Sequence, residues 1–179
     1  MPPPQIYTAG WKILGMNKPD TYPTEGPQSF ANTVERELNK KLDAWGPNAR
    51  IKFDLIYDVH YLHTDESSRD FAGHTGRHHM IWSGMLLHKL AREKLRKIVD
   101  NILGSPWPRD GKPLYVLLVC AKGNHRSQAM GKMVSMALRK TKVNSLPMES
   151  LCSPGLCSTC HRCTAEREED IERVYKVVV

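Results

Sequence analysis

The chain has 179 residues, enough for one α/β domain and an appendage but short for two full domains. A hydrophobic fraction of 40% and a charged fraction of 25% are those of a globular protein. The formal net charge of +7 and the pI near 9.2 favour anionic partners: nucleic acid, phosphorylated metabolites or an acidic protein surface; plain solubility is the bland alternative.

No apolar run is long enough to span a bilayer, so no membrane partner is expected. The start, Met1-Pro2-Pro3-Pro4, has neither a basic n-region nor an apolar core and does not read as a secretory signal. Five cysteines, four of them bunched, fit metal or redox use in a reducing compartment better than a disulfide framework. The expected location is the cytoplasm or another reducing compartment, an organelle matrix included.

Gln5 to Leu14 reads as a strand ending near Gly15, and Lys18 to Gly26, with Pro19 and Pro23, as loop. A helix is expected from Ser29. Phe30, Val34, Leu38, Leu42 and Trp45 form its apolar stripe, with Glu35, Arg36, Lys40 and Lys41 outside and Gly46-Pro47-Asn48 ending it. Ile51 to Leu62 is the next strand; Asp58 and His60 lie near its carboxyl end, where open α/β sheets place ligands. From His63 to His79 the chain is polar and long for a connection, with His74, Arg77, His78 and His79 in it. It is either a solvated loop or a functional one.

Ser83 is expected to cap a long helix to about Leu103, with Leu87, Leu90, Ile98 and Ile102 inward. Its outer cations, Lys89, Arg92, Lys94, Arg96 and Lys97, make a basic ridge: a solvated face or a nucleic-acid contact. After the proline-bearing loop Gly104 to Pro113 comes the apolar run Val116-Leu117-Leu118-Val119, a strand buried on both faces. A polar loop, Cys120 to Ser127, leads into a helix from Gln128 to about Lys140 that buries Ala129, Met133, Met136, Ala137 or a subset. Its basic end, Arg139-Lys140-Thr141-Lys142, suits the helix dipole and extends the positive surface. Alternating helices and strands predict an α/β fold with a mostly parallel sheet and flanking helices over residues 1–147. A Cys-rich metal-binding segment and a terminal helix follow over 148–179. That helix is expected over Thr164 to Val174, capped at Thr164, with Val177-Val178-Val179 forming an edge strand or packing on the body.

Strand, loop and helix start together make an anion cradle. The first N–H groups of a helix lack intrahelical partners and carry the positive end of the dipole. Gly123 lets the backbone curl close to an anion, and Arg126 can grip two oxygens. The candidate anion-binding residues are Lys122, Gly123, Asn124, His125, Arg126 and Ser127. Cys120-x5-Arg126-Ser127 is also the spacing of the cysteine-dependent phosphatases, in which the thiolate attacks phosphorus and the Arg holds the phosphoryl oxygens. On that reading Cys120 is catalytic, and Asp65, Asp70 or Asp110 would have to supply the acid. A cysteine ending a buried strand is otherwise a small hydrophobe.

In Leu151 to Thr164, Cys152, Cys157, Cys160 and Cys163 are spaced x4, x2, x2. The x2 spacing brings two thiolates to one ion from a tight turn, so the four are candidate ligands of a zinc site. Four ligands in so short a span is tight packing. One could instead be His161, or His74, His78 or His79 from the main domain. Three cysteines at x2 intervals also look like part of an iron–sulfur set, and a metal-free loop is the remaining alternative.

The loop Cys120-Ala121-Lys122-Gly123-Asn124-His125-Arg126-Ser127 resembles the C-x-G-G-x-H-R-S loop of the C-terminal domain of the RapZ family of RNase adapters. Asp58-Val59-His60-Tyr61-Leu62 resembles that family's D-V-R-x-L strand, Thr75-Gly76 its T-G pair, and Gly10-Trp11-Lys12 its G-F-K. The resemblance covers roughly residues 5 to 145; the family's small residue and second glycine are here Ala121 and Lys122. It implies a non-catalytic domain that binds a small phosphorylated ligand in the loop and RNA on basic surface, with His125 and Arg126 as the anion-binding side chains. Protein partners in a regulatory or ribonucleoprotein complex would fit that role. The candidate RNA contacts are Arg92, Lys94, Arg96, Lys97, Arg139, Lys140 and Lys142.

Overall fold

The computed structural model describes residues 3–12, 14–16, 26–43, 50–62, 73–106, 111–141, 148–151, 157 and 160–179, with main chain alone at 26–29 and 148–150. Trp45, Asp65, Asp70, Asp110, Lys142 and Cys152 lie outside them.

Four strands make one sheet among the described residues: β1 (Gln5–Gly10), β2 (Leu55–Asp58), β3 (Tyr115–Cys120) and β4 (Met148–Ser150). Their order is β2-β3-β1-β4, and all three pairings are parallel. β1 and β3 align from Gln5↔Tyr115 to Gly10↔Cys120, so both end at the same level. The helices are α1 (Gly26–Asp43), α2 (His79–Leu87), α3 (Lys89–Gly104), α4 (Arg126–Arg139), α5 (His161–Thr164) and α6 (Glu168–Val178). None is long and apolar enough to cross a membrane.

The period of two along β3 divides the core. Val116, Leu118 and Cys120 point to one face with Ile6 and Tyr57, and meet α2, α3, α4 and α6. Leu117 and Val119 point to the other with Tyr7 and Ala9, and meet Val34, Leu38 and Leu42 of α1. The connection leaving β1 therefore crosses one face, while that leaving neighbouring β3 crosses the opposite face. Their carboxyl ends flank a topological switch point, the place where open α/β sheets bind ligands.

The central helix is enclosed more completely than its periodicity suggests: every residue from Ser127 to Leu138 in α4 is buried. The sheet lies on one side and α2, α3 and α6 on the others, with Ile171 and Val174 of α6 in the same core. Even Lys132, 6% exposed, is taken inside, where its Nζ donates to Glu166 Oε1 at 2.6 Å.

Several expected boundaries shift for local reasons. β1 stops at Gly10 rather than Leu14, and the main chain turns with Gly15 in the left-handed region. β2 is four residues, although Asp54 and Val59 still donate to the Tyr115 and Val119 carbonyls. α1 begins at Gly26, which puts Pro27 in its first turn, where its missing N–H costs nothing. Glu35 is not an outer residue, since its carboxylate accepts from the Phe53 amide. The expected single helix from Ser83 is two helices broken at His88, which is extended (φ −82°, ψ 132°). The cap of α2 is His78, whose Nδ1 accepts from the Met80 amide. The break resets the helical phase, and so Leu87 and Leu90 are 68% and 59% exposed instead of inward. In the tail, α6 starts at Glu168 rather than Thr164 and carries Val177 and Val178 as helix packed on the core.

Candidate functional site

The loop after β3 curls around its own first side chain. The Gly123 amide donates to Cys120 Sγ at 3.1 Å, and Ser127 Oγ lies 3.3 Å from the same sulfur. Gly123 takes φ 78°, the left-handed conformation expected of it. Gln128 donates back to the Gly123 carbonyl, and α4 begins with no side-chain cap on its N-terminus. The loop faces of Asn124, His125 and Arg126 are half-buried, Ser127 is buried and Lys122 is exposed.

Three other segments converge on this loop. The Trp11 and Lys12 amides donate to the Cys120 and Ala121 carbonyls, both at 3.0 Å. Arg126 Nη1 donates to the His60 carbonyl at 2.5 Å, and the His60 ring is held by Asp58, Nδ1 to Oδ2 at 2.6 Å. The Gly76 amide donates to the Asn124 carbonyl at 2.8 Å. The approaches are close enough to require glycine. A Cβ on Gly10 would stand 2.3 Å from the Lys122 carbonyl carbon, and one on Gly76 would stand 1.8 Å from the His125 oxygen.

Next to the loop lies a second cluster. His74, Cys157, Cys160 and Cys163 bring their donor atoms within 4.8 Å of one another and could hold a metal ion. His74 Nδ1 is 3.1 Å from Cys157 Sγ and 3.6 Å from Cys163 Sγ, and the two sulfurs are 3.2 Å apart. A tetrahedral ion with metal–sulfur bonds near 2.3 Å and metal–nitrogen bonds near 2.0 Å needs neighbouring donors roughly 3.5–3.8 Å apart, so the set fits with small adjustments.

The surroundings of two of the sulfurs differ. The Cys163 and Arg162 amides donate to Cys160 Sγ; burial pushes that thiol up, and these amides with the neighbouring thiols outweigh it, so its pKa falls below the usual value. Burial, followed by hydrogen bonds with Cys157 and Cys160, pushes the Cys163 thiol up to about 12. Four soft and borderline donors brought this close form a set that could hold a dication.

Cys152 lies outside the described residues, and among those described His74 completes the set. The other candidate histidines are occupied elsewhere: His78 caps α2, and His79 Nε2 lies 3.3 Å from Asp170 Oδ1. His161 begins α5 and is exposed. The spacing of the cysteines was a sufficient signal for three of the four candidate ligands. Nothing in the sequence ranked His74 above its neighbours, because it reaches Cys157 across 83 positions.

The expected RNA-binding cations are dispersed. Arg92 donates to the Leu86 and Leu87 carbonyls at the end of α2, and Arg96 to the Val177 carbonyl at the end of α6. Lys94 lies over the Tyr57 and Tyr61 rings, and its burial holds its pKa below the usual lysine value. Arg139 pairs with Glu166, and Lys140 with Glu168 and Glu172. Lys97 is exposed.

Comparison of the chain with family models, with curated proteins and with solved structures found no match in any of the three.

Proposed function

We propose that the chain is a non-catalytic binding domain of RapZ C-terminal type that holds a phosphate group of a small molecule or of RNA in the Cys120–Ser127 loop. The observation that carries this reading is convergence. Gly10-Trp11-Lys12, Asp58 to Leu62 and Thr75-Gly76, far apart in sequence, all hydrogen-bond to one loop at the switch point of a parallel sheet. Each is also a segment that carries the resemblance to the RapZ C-terminal domain. The uncapped start of α4 adds backbone donors and dipole to the same spot.

The role of each side chain follows. Lys122 and Arg126 supply charge, the amides from Gly123 to Ser127 supply directed donors, and His125 lines the side facing residues 73–78. Of the helical cations, exposed Lys97 is best suited to backbone phosphates of RNA, since Arg92, Arg96, Arg139 and Lys140 have structural partners. Zinc is the ion that best suits three thiolates and one imidazole at closed, four-ligand spacing.

Calorimetric titration with inorganic phosphate tests the loop. Wild type should bind and Arg126→Ala should not, while Lys97→Glu should bind phosphate normally and weaken RNA alone. Equal phosphate affinity of wild type and Arg126→Ala would refute the assignment.

One observation favours a second reading, a cysteine-dependent phosphatase: the Cys120 sulfur sits at the centre of the loop, with an amide and a hydroxyl directed at it. Steady turnover of an aryl phosphate, abolished in Cys120→Ser, would replace the binding reading with this one. Binding of phosphate without turnover, retained in Cys120→Ser, would exclude it.

A further inference from the structure

We propose that the metal centre assembles the anion site, so that occupancy of the four-ligand cluster sets the affinity of the Cys120–Ser127 loop for phosphate; this rests on the reading of that loop as an anion site. The two sites share three consecutive residues. His74 gives its ring to the cluster and its carbonyl oxygen to His125, whose Nε2 donates to it at 3.1 Å. Thr75, buried, lends its amide to the Cys163 sulfur. Gly76 donates its amide to the Asn124 carbonyl and sits so close to His125 that no side chain fits between them. Segment 74–76 is therefore clasped by the cluster on one side and by the anion loop on the other.

Within the segment itself the hydrogen bonds are short-range. The His78 amide donates to the Thr75 carbonyl and the Arg77 amide to Thr75 Oγ1, which shape a turn without fixing its distance from the loop. The three cysteines come from a turn and the four-residue α5, whose backbone hydrogen bonds among the described residues are local, so that the Thr75 amide and the His74 ring are what meet them from this segment. An ion bonded to His74 and to the cysteines joins these two short segments and fixes His125 in place through the His74 carbonyl. Without the ion, His74 loses the bonds that would tie its ring to the cysteine segment. Coupling then follows from geometry: each ligand prefers the arrangement the other requires.

The experiment is calorimetric titration of inorganic phosphate into the full chain, zinc-loaded at one equivalent and again after chelation, with His74→Ala and Cys160→Ser alongside. His74→Ala keeps the carbonyl that His125 uses, and Cys160→Ser removes a sulfur from a different segment, so an effect shared by both variants and by chelation points to the ion. Metal-free protein and both variants are expected to bind phosphate about tenfold or more weakly, within the usual 5–150-fold range of such couplings. Where a variant fails to fold, reciprocity replaces it: saturating phosphate should raise the zinc affinity of wild type by the same factor, read by competition with a chromogenic chelator. Phosphate binding that is equal with and without zinc, with no effect of phosphate on zinc affinity, would overturn the coupling and leave the loop assignment standing. Zinc-loaded wild type that binds no phosphate at all would overturn both.

Discussion

Two sulfur sites lie side by side in this molecule and are built on opposite principles. Cys120 ends a central strand whose register is fixed by neighbours on both sides, and its sulfur is wrapped by the next turn of its own backbone. The cluster of Cys157, Cys160 and Cys163 has no comparable frame. Its turn and four-residue helix gather around a histidine from a distant loop, and its four donor atoms lie close enough together that they could hold an ion. The first site is a product of the fold; on the metal-site reading, an ion would complete the second.

The largest effect that tests this contrast is metal removal. Chelation should release the Cys-rich turn while the sheet and α4 persist, lowering thermal stability by several kcal/mol, on the scale of structural zinc sites. Proton uptake during chelation, measured in weakly buffered solution, should accompany it as thiolates are protonated. A melting curve identical with and without chelator would erase the distinction between the two sites.

Next in size is the anchor of the tail that does not depend on metal. Glu166 receives Lys132 and Arg139 from α4, and Lys132 is nearly buried. Glu166→Gln leaves a cation inside without its partner and should cost about 2–4 kcal/mol in denaturant unfolding. Glu166→Gln combined with Lys132→Met should recover most of it. If the single change is neutral, the ion alone holds the tail.

The seams between the sites come third. Gly76→Ala and Gly10→Ala each drive a Cβ into loop backbone, and each should destabilise by about 1–3 kcal/mol. The two should differ in function. Gly76→Ala should weaken both phosphate and zinc binding, whereas Gly10→Ala should weaken phosphate alone, as read by the same titrations.

The smallest effect probes the frame beneath the thiol loop. Asn101 Nδ2 donates to the Tyr57 hydroxyl at 2.8 Å, tying α3 to β2, and burial raises the Tyr57 pKa above the ordinary 10.0, opposed by that hydrogen bond. A raised folded pKa means the folded state holds its proton more tightly than the unfolded one. Its contribution is complete below about pH 10 and is lost as pH rises beyond that value. Tyr57→Phe should cost about 0.5–1.5 kcal/mol at neutral pH and flatten the loss of stability above pH 10 in urea titrations.

The difference between the two sites also governs what the sequence reveals. β3, its loop and α4 are legible because apolar run, glycine and polar loop are contiguous, and local pattern carries the geometry. α2 and α3 read as one helix because no glycine or proline marks the break at His88, where only the backbone is extended. β4 is too short at three residues to show a period and is ordered by pairing with β1. His74 was one of several equivalent histidines until the chain brought it to the cysteines. The basic ridge looked continuous because sequence shows the charges of Arg139 and Lys140 but not the acidic partners facing them from the tail.

The enclosure of α4 has a consequence for how a ligand is met. Its first residues cannot shift without disturbing a helix buried through Leu138, so the amides at the base of the loop behave as a rigid template. Hydrogen exchange there should proceed only by global opening, while Trp11, Lys12 and residues 73–78 should exchange through local fluctuations. On the proposed anion-site reading, accommodation would fall to the rim and discrimination to the floor, and a guest of the wrong size would meet a surface that does not yield.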